Sequence, residues 1–217
     1  LQKTAVLCDT GKGEFIMAMT IVYEVGKNLY VNITNKCPCS CTFCIRKNGD
    51  GAYGSDSLWL EREPSFDEIT DALEKHDYKK YNEVVFCGYG EPTERLDVLV
   101  ETAKYIKKNG GPKIRLNTNG LSDLIHNEPT AHKLENAVDI VSISLNAGTK
   151  EEYLKVTRPS FGEKSFDAMK KFASDCKKYV PEVMLTVVDV IGEDEIKAAQ
   201  KAADELGIHL RVREYES

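Results

Sequence analysis

Two hydrophobic periods alternate along most of this chain. Short runs rich in β-branched residues change side every residue, as half-buried strands do, and longer stretches place apolar residues every three or four positions, as amphipathic helices do. Thr20–Tyr23 and Leu29–Thr34 alternate like strands, with Gly26-Lys27-Asn28 as the turn between them. Ser65–Lys75 is predicted as a helix because Ser65 and Glu68 form a capping-box pair at its start. Strand Glu83–Cys87 follows. Helix Leu96–Lys108 carries a stripe of Leu96, Leu99, Val100, Ala103 and Ile106, and stops at Asn109-Gly110-Gly111. Strand Ile114–Thr118 leads into a polar segment with a weak helix around Ala131–Glu135. The alternation resumes with strand Ile140–Leu145, helix Ser165–Lys178, strand Val183–Val190, helix Asp194–Leu206 and strand Ile208–Glu214.

From Leu29 onward this gives six strand–helix steps, the last without its helix, at about 31 residues each, close to the ~30 residues of a βαβ unit. Right-handed crossovers curl such parallel strands into a barrel or an open sheet. A full eightfold barrel needs about 250 residues, so the expected fold is α/β, a partial (β/α)6 barrel of the TIM type with parallel strands, open on one side. No internal repeat or linker divides residues 19–217, which are expected to form one domain. Residues 1–18 have weak periodicity and are expected to be an N-terminal appendage, disordered or lying upstream of the true start. The alternative for them is a short strand closing the barrel floor.

Composition narrows the function classes. The 217 residues carry a formal net charge of −6, which argues against a nucleic-acid binder working through a basic face. No apolar run reaches the ~18 residues of a membrane span, and the first residues lack a secretory pattern. A cytoplasmic protein without a membrane partner is expected.

The cysteines add more. Seven are present, an odd number, and four of them (Cys37, Cys39, Cys41, Cys44) fall within eight residues. In a chain without an export signal, such clustering indicates metal binding. Cys37, Cys41 and Cys44 form C-x3-C-x2-C just past the first strand of the repeat, at the strand end where βα barrels carry their active sites. A structural zinc site takes four ligands, commonly as two separated pairs, and no second pair is found downstream. Three thiolates suit a [4Fe–4S] cluster with one iron open. A zinc-binding interaction module stays as the alternative.

With Phe43 before the last cysteine, the segment resembles the radical SAM superfamily. Further matches follow in order at the ends of successive strands. Gly88-Tyr89-Gly90-Glu91-Pro92 is similar to the superfamily's Gly-Gly-Glu-Pro motif, and Asn117-Thr118-Asn119-Gly120 to its Thr-Asn-Gly ending. Ser142–Ala147, with Ser144 and Asn146, is similar to the ribose-contacting strand. Val188–Gly192, with Val190, corresponds to the segment on which adenine packs. The strings Asn28–Cys39, Phe43-Cys44-Ile45-Arg46 and Leu58-Trp59-Leu60-Glu61 are most similar to the TatD-associated radical SAM proteins.

The resemblance implies an enzyme in which Cys37, Cys41 and Cys44 hold a [4Fe–4S] cluster whose open iron chelates S-adenosylmethionine. One-electron reduction of the sulfonium then releases a 5′-deoxyadenosyl radical that takes hydrogen from an unidentified substrate. It implies cofactor contacts from Gly88, Gly90, Glu91, Pro92, Asn117, Asn119, Ser144, Asn146, Arg158 and Val190. Glu91 is expected to accept from the methionine ammonium, and Arg158 to hold the methionine carboxylate or an acidic substrate. An external reductant such as flavodoxin or ferredoxin is implied, and a functional link to a TatD-type nuclease follows from the resemblance alone. An activase of a glycyl-radical enzyme and a 7-carboxy-7-deazaguanine synthase-like enzyme are the alternative activities.

The remaining candidates have bland readings. Arg46 and Lys47 are an anion-holding pair or solvated loop charges. Cys39 is the odd thiol of the loop, Cys87 a small buried hydrophobe, and Cys176 part of a helix stripe with Phe166, Met169 and Phe172. The four histidines fit no metal spacing.

Overall fold

A computed structural model describes residues 19–215, so the reading of residues 1–18 as an appendage lies outside the described residues. Among the described residues, seven strands form one sheet in chain order. Strands β1 (Val22–Val25) and β2 (Asn28–Val31) are antiparallel, with Val25 opposite Asn28 across a two-residue turn in which Gly26 takes φ +60°. That left-handed angle is what a tight hairpin requires of its first turn residue. The turn falls at Gly26-Lys27, and the first strand lies two residues later than the expected Thr20–Tyr23.

From β2 the sheet is parallel throughout, through β3 (Glu83–Phe86), β4 (Lys113–Thr118), β5 (Ile140–Ser144), β6 (Glu182–Val188) and β7 (His209–Arg213). Strands β1 and β7 do not pair, and the barrel stays open between them. Six parallel strands and an open side agree with the sequence expectation.

Six helices connect the strands: α1 (Phe66–Lys75), α2 (Leu96–Lys108), α3 (Ser122–His126), α4 (Lys150–Thr157), α5 (Lys164–Cys176) and α6 (Glu193–Leu206). The capping box of α1 is present in both directions: Glu68 N donates to Ser65 Oγ and Ser65 N to Glu68 Oε2. The weak helix expected at Ala131–Glu135 is a 3-10 turn, Ala131–Leu134.

One face of the sheet packs under the helices. Val84, Phe86, Ile114, Leu116, Val141, Ile143, Leu185 and Val187 are fully buried there with Leu73, Leu99, Ile106, Met169 and Phe172. Because strand side chains alternate, the residues between them face the hollow of the barrel. The carboxyl ends of β2 to β6 and the loops beyond them hold the expected site residues, except Arg158, which caps α4. Among the described residues, no helix is long and apolar enough to cross a membrane.

Candidate active site

The cysteine loop leaves β2 and is fixed from two sides. At its start, Asn35 donates to Leu60 O (2.7 Å) and accepts from Leu60 N (3.1 Å), and Asn32 donates to Leu58 O (2.7 Å). In its middle it lies along the end of α4. Ser40 N donates to Thr157 O (3.0 Å), Thr42 N to Val156 O (2.8 Å) and Ser160 N to Pro38 O (2.8 Å), with a bridge between Cys39 and Pro159. Arg158 therefore belongs to the segment that backs the loop, although its side chain is exposed and its backbone holds φ +47°.

Cys37, Cys41 and Cys44 are free and half-buried, and Cys39 is buried among them. Its S–H is shared with Cys37 and Cys41 and holds both thiols below the ordinary thiol range, while Cys39 itself is pushed far upward. Two nitrogen donors also reach the outer thiols. Asn119 Nδ2 lies 3.9 Å from Cys37 Sγ, and Arg46 Nε lies 3.4 Å from Cys44 Sγ. Arg46 is held in turn by Asn35 O (3.3 Å) and by the ring of Trp59, 5.8 Å from its centroid. A cavity of about 330 Å³ opens here, lined by Ser40, Cys41, Cys44, Arg46, Lys47 and Trp59. A larger hollow of about 470 Å³, lined by Thr20, Tyr23, Glu24 and Ser55, lies along β1.

The donor set fits an iron–sulfur cluster. Three soft thiolates with N–H groups beside them are what such a cluster takes as ligands and as hydrogen-bond donors to sulfur. Among the described residues, no three His, Cys, Asp or Glu side chains are gathered tightly enough for a single metal ion. A four-iron cluster is wider than one ion and places each thiolate on a different iron.

The Gly88–Pro92 segment, beyond β3, packs directly on this loop. A Cβ on Gly90 would lie 2.2 Å from Thr34 O and 2.7 Å from Lys36 O, and one on Gly88 would lie 2.1 Å from Asn32 Oδ1. Glu91 N donates to Lys36 O at 2.7 Å. What approaches these glycines is the chain itself, over fifty residues away in sequence.

Glu91 is 4% exposed. Its Oε1 accepts from Thr93 N (3.1 Å), Thr93 Oγ1 (2.8 Å) and Thr118 Oγ1 (2.7 Å), and its Oε2 from Asn119 N (2.7 Å). Burial pushes this carboxyl above the usual carboxylate range, and those donors pull against it. Glu91 thus ties the end of β3 to the end of β4. Pro92 begins the buried 3-10 turn that follows.

Asn117 sits on β4 with its Oδ1 buried and unpartnered, an acceptor available to a ligand hydroxyl. Asn119 Oδ1 accepts from Leu121 N (2.9 Å), which fixes the amide that faces Cys37. Ser144 ends β5. Asn146 is buried at φ +63°, its N–H donating to Thr186 O at 3.2 Å. Val190 stands in the 3-10 turn after β6 and is 54% exposed. The structure thus collects the sequence-predicted residues at one end of the sheet. It brings Asn119 and Glu91 against the cysteine loop, and leaves Arg158 and Val190 at the rim.

Sequence reasoning missed several participants. Thr93 and Thr118 complete the Glu91 tie. Trp59 packs edge-on against Tyr89, centroids 5.1 Å apart, beside the thiols. Helix α4 backs the loop and was signalled by Thr149 with Glu152 three residues on; the Thr149 side chain accepts from Glu152 N.

The chain is similar to known proteins. The chain is 26% identical over 182 residues to the dual-specificity RNA methyltransferase RlmN of Nautilia profundicola, covering 76% of this chain and 46% of that protein. It is 32% identical over 146 residues to a probable GTP 3′,8-cyclase of Methanocaldococcus jannaschii, covering 67% and 45%. The chain therefore spans about half the length of the curated relatives it matches. Two solved structures share the fold: native anSMEcpe with bound AdoMet (TM-score 0.61, 23% identity, 87% of this chain and 51% of that one), and Streptococcus suis SuiB bound to S-adenosylmethionine (TM-score 0.64, 15% identity, 87% and 40%). The family model described as the Radical SAM superfamily matches residues 31–203, so the chain belongs to the radical SAM superfamily, whose members use a [4Fe–4S] cluster and S-adenosylmethionine.

Proposed function

We propose that residues 19–217 are the radical-generating domain of a radical SAM enzyme, with Cys37, Cys41 and Cys44 as the cluster ligands. The observation that carries this reading is the convergence of three motif loops. Gly90 and Glu91 pack on the cysteine loop, Glu91 holds Asn119, and Asn119 faces Cys37. Cys37, Cys41 and Cys44 would hold the cluster, which would supply the single electron needed to cleave S-adenosylmethionine into methionine and a 5′-deoxyadenosyl group.

The chain's part is to bind and orient. Gly88, Gly90, Glu91 and Pro92 form the wall for the methionyl end, and Arg158 supplies a cation for its carboxylate. Asn117, Asn119, Ser144 and Asn146 present polar groups for the ribose, and the unpartnered Oδ1 of Asn117 supports that assignment. Val190 offers apolar surface for the adenine. Arg46 and Asn119 direct N–H groups at two of the thiols.

The reading includes an external one-electron donor of the flavodoxin or ferredoxin kind, a cytoplasmic setting, and residues 1–18 as an appendage. The resemblance of the Asn28–Cys39 and Leu58–Glu61 strings to the TatD-associated group supports membership of that group, and a functional link to a TatD-type nuclease follows from that resemblance alone. Neither string names a substrate.

Anaerobic reconstitution with iron and sulfide tests the reading. The expected result is about four irons and four sulfides per chain and, with reductant and S-adenosylmethionine, release of 5′-deoxyadenosine. One zinc per chain, with no bound sulfide, would overturn it.

A further inference from the structure

The inner side of the sheet carries two arginines whose Nε groups are buried and without a partner. Ile114 and Leu116 point into the helix-side core, as does Leu210 on β7. Alternation then turns Arg115, Asn117 and Arg213 to the inner side, with Cys87 at the end of β3. Arg115 is paired: its Nη2 lies 3.1 Å from Glu83 Oε2 and 3.5 Å from Tyr30 Oη. Its Nε is buried and has no partner. Arg213 also has a buried, unpartnered Nε, and among the described residues it forms no ion pair.

Cys87 lies within the field of both guanidiniums, yet burial holds its thiol above the ordinary value, so it stays neutral and does not act as their counter-charge. A buried N–H of Arg213 left without an acceptor is costly. In a chain of net charge −6, acidic side chains to pair with it are plentiful, and none of the described ones does.

We propose that the hollow receives an anionic group of the substrate, a carboxylate or a phosphate, between Arg115 and Arg213. Arg115 donates through Nε while Glu83 and Tyr30 hold the rest of its guanidinium, and Arg213 faces it from the last strand. A planar guanidinium matches either oxyanion with two parallel N–H bonds. Since the hollow lies beneath the proposed cofactor residues at the strand ends, the arginines would fix the substrate while the atom to be attacked faces upward. This assignment rests on the radical SAM reading and deepens it by naming a substrate class.

The test uses the full chain with its cluster reconstituted, under anaerobic conditions. Inorganic phosphate and malonate are titrated separately at constant ionic strength, and the thermal midpoint is followed. At least one should raise the midpoint saturably, and which one does distinguishes a phosphate from a carboxylate substrate. Arg213→Gln should raise the half-saturating concentration at least tenfold, and Arg213→Lys by less. Asn117→Asp, which keeps the shape and adds a negative charge, should weaken the response similarly, and it serves if Arg213→Gln fails to fold.

Equal responses of wild type and these variants, or no saturable response in wild type, would overturn the proposal. So would an equal loss of S-adenosylmethionine affinity in Arg213→Gln, because the arginine would then serve the cofactor's own carboxylate. Iron and sulfide content, measured on the same samples, reports separately on the radical SAM reading. A chain that binds the anion but takes up no cluster would fail that reading alone.

Discussion

The two halves of the barrel mouth are built differently. At the ends of β2, β3 and β4, a buried carboxylate with four donors, Gly90 pressed against backbone oxygens and Gly88 against the Asn32 side chain lock three loops together. Just past β5 and β6, Asn146 holds a left-handed backbone angle and Val190 stands in solvent, while Arg158, also left-handed, caps α4 behind the cysteine loop. The first half is assembled by the protein's own contacts. The second is held by fewer contacts of this kind, and its side chains are those proposed to meet a ligand. Pre-organisation is thus concentrated where the cluster and the methionyl end of the cofactor are proposed to bind, and adaptability where the adenine would lie.

The strongest test of this contrast is at the thiols. Cys37→Ala, Cys41→Ala or Cys44→Ala should each abolish a stable cluster, while Cys39→Ala should retain it, read as iron and sulfide per chain. Loss in the Cys39 variant with retention in the Cys37 variant would break the ligand assignment.

Next comes Glu91. Glu91→Ala leaves Thr93 N and Asn119 N buried without an acceptor and should lower folding stability by about 3 kcal/mol, measured by denaturant unfolding of the cluster-free chain. An effect under about 0.5 kcal/mol would remove the rigid half from the comparison.

Arg158→Gly separates backbone from side chain. Relief of the left-handed angle should add about 0.5–1 kcal/mol of stability, while loss of the guanidinium should weaken S-adenosylmethionine binding about tenfold, the equivalent of a 1.4 kcal/mol charge-assisted contact. Unchanged affinity would leave Arg158 as a surface residue. The smallest effect is expected at Val190. Val190→Ser should leave stability within about 0.5 kcal/mol and reduce cofactor affinity about threefold, roughly 0.6 kcal/mol of apolar contact. A large stability loss there would mean that the second half is also structural.

The same division governs how much was legible in the sequence. The strands and α1, α2, α5 and α6 could be read because each buries one face, which leaves a clean period. Helix α4 was missed because its apolar residues Tyr153, Leu154 and Val156 form a short, mixed pattern, although its Thr149–Glu152 cap was readable. The expected strand Leu29–Thr34 ends at Val31, since Asn32 and Asn35 turn away to hold Leu58 and Leu60. The cysteine spacing and the Gly-Glu-Pro string are local, so they were visible. The tie of Glu91 to Thr118 and Asn119 and the shared inner face of Arg115 and Arg213 depend on residues far apart in sequence, and no local period encodes them.

Position 90 has a practical consequence for reading mutational scans. A library scored only for soluble expression, in cells starved of iron, contains no cofactor to select for. Every side chain at position 90 would nonetheless collide with the carbonyl oxygens of Thr34 and Lys36 and displace the loop that carries the cysteines. The position would score as intolerant as a core leucine. Intolerance at such a motif glycine measures how the chain packs on itself, and only an assay that varies cofactor concentration can separate the two kinds of constraint.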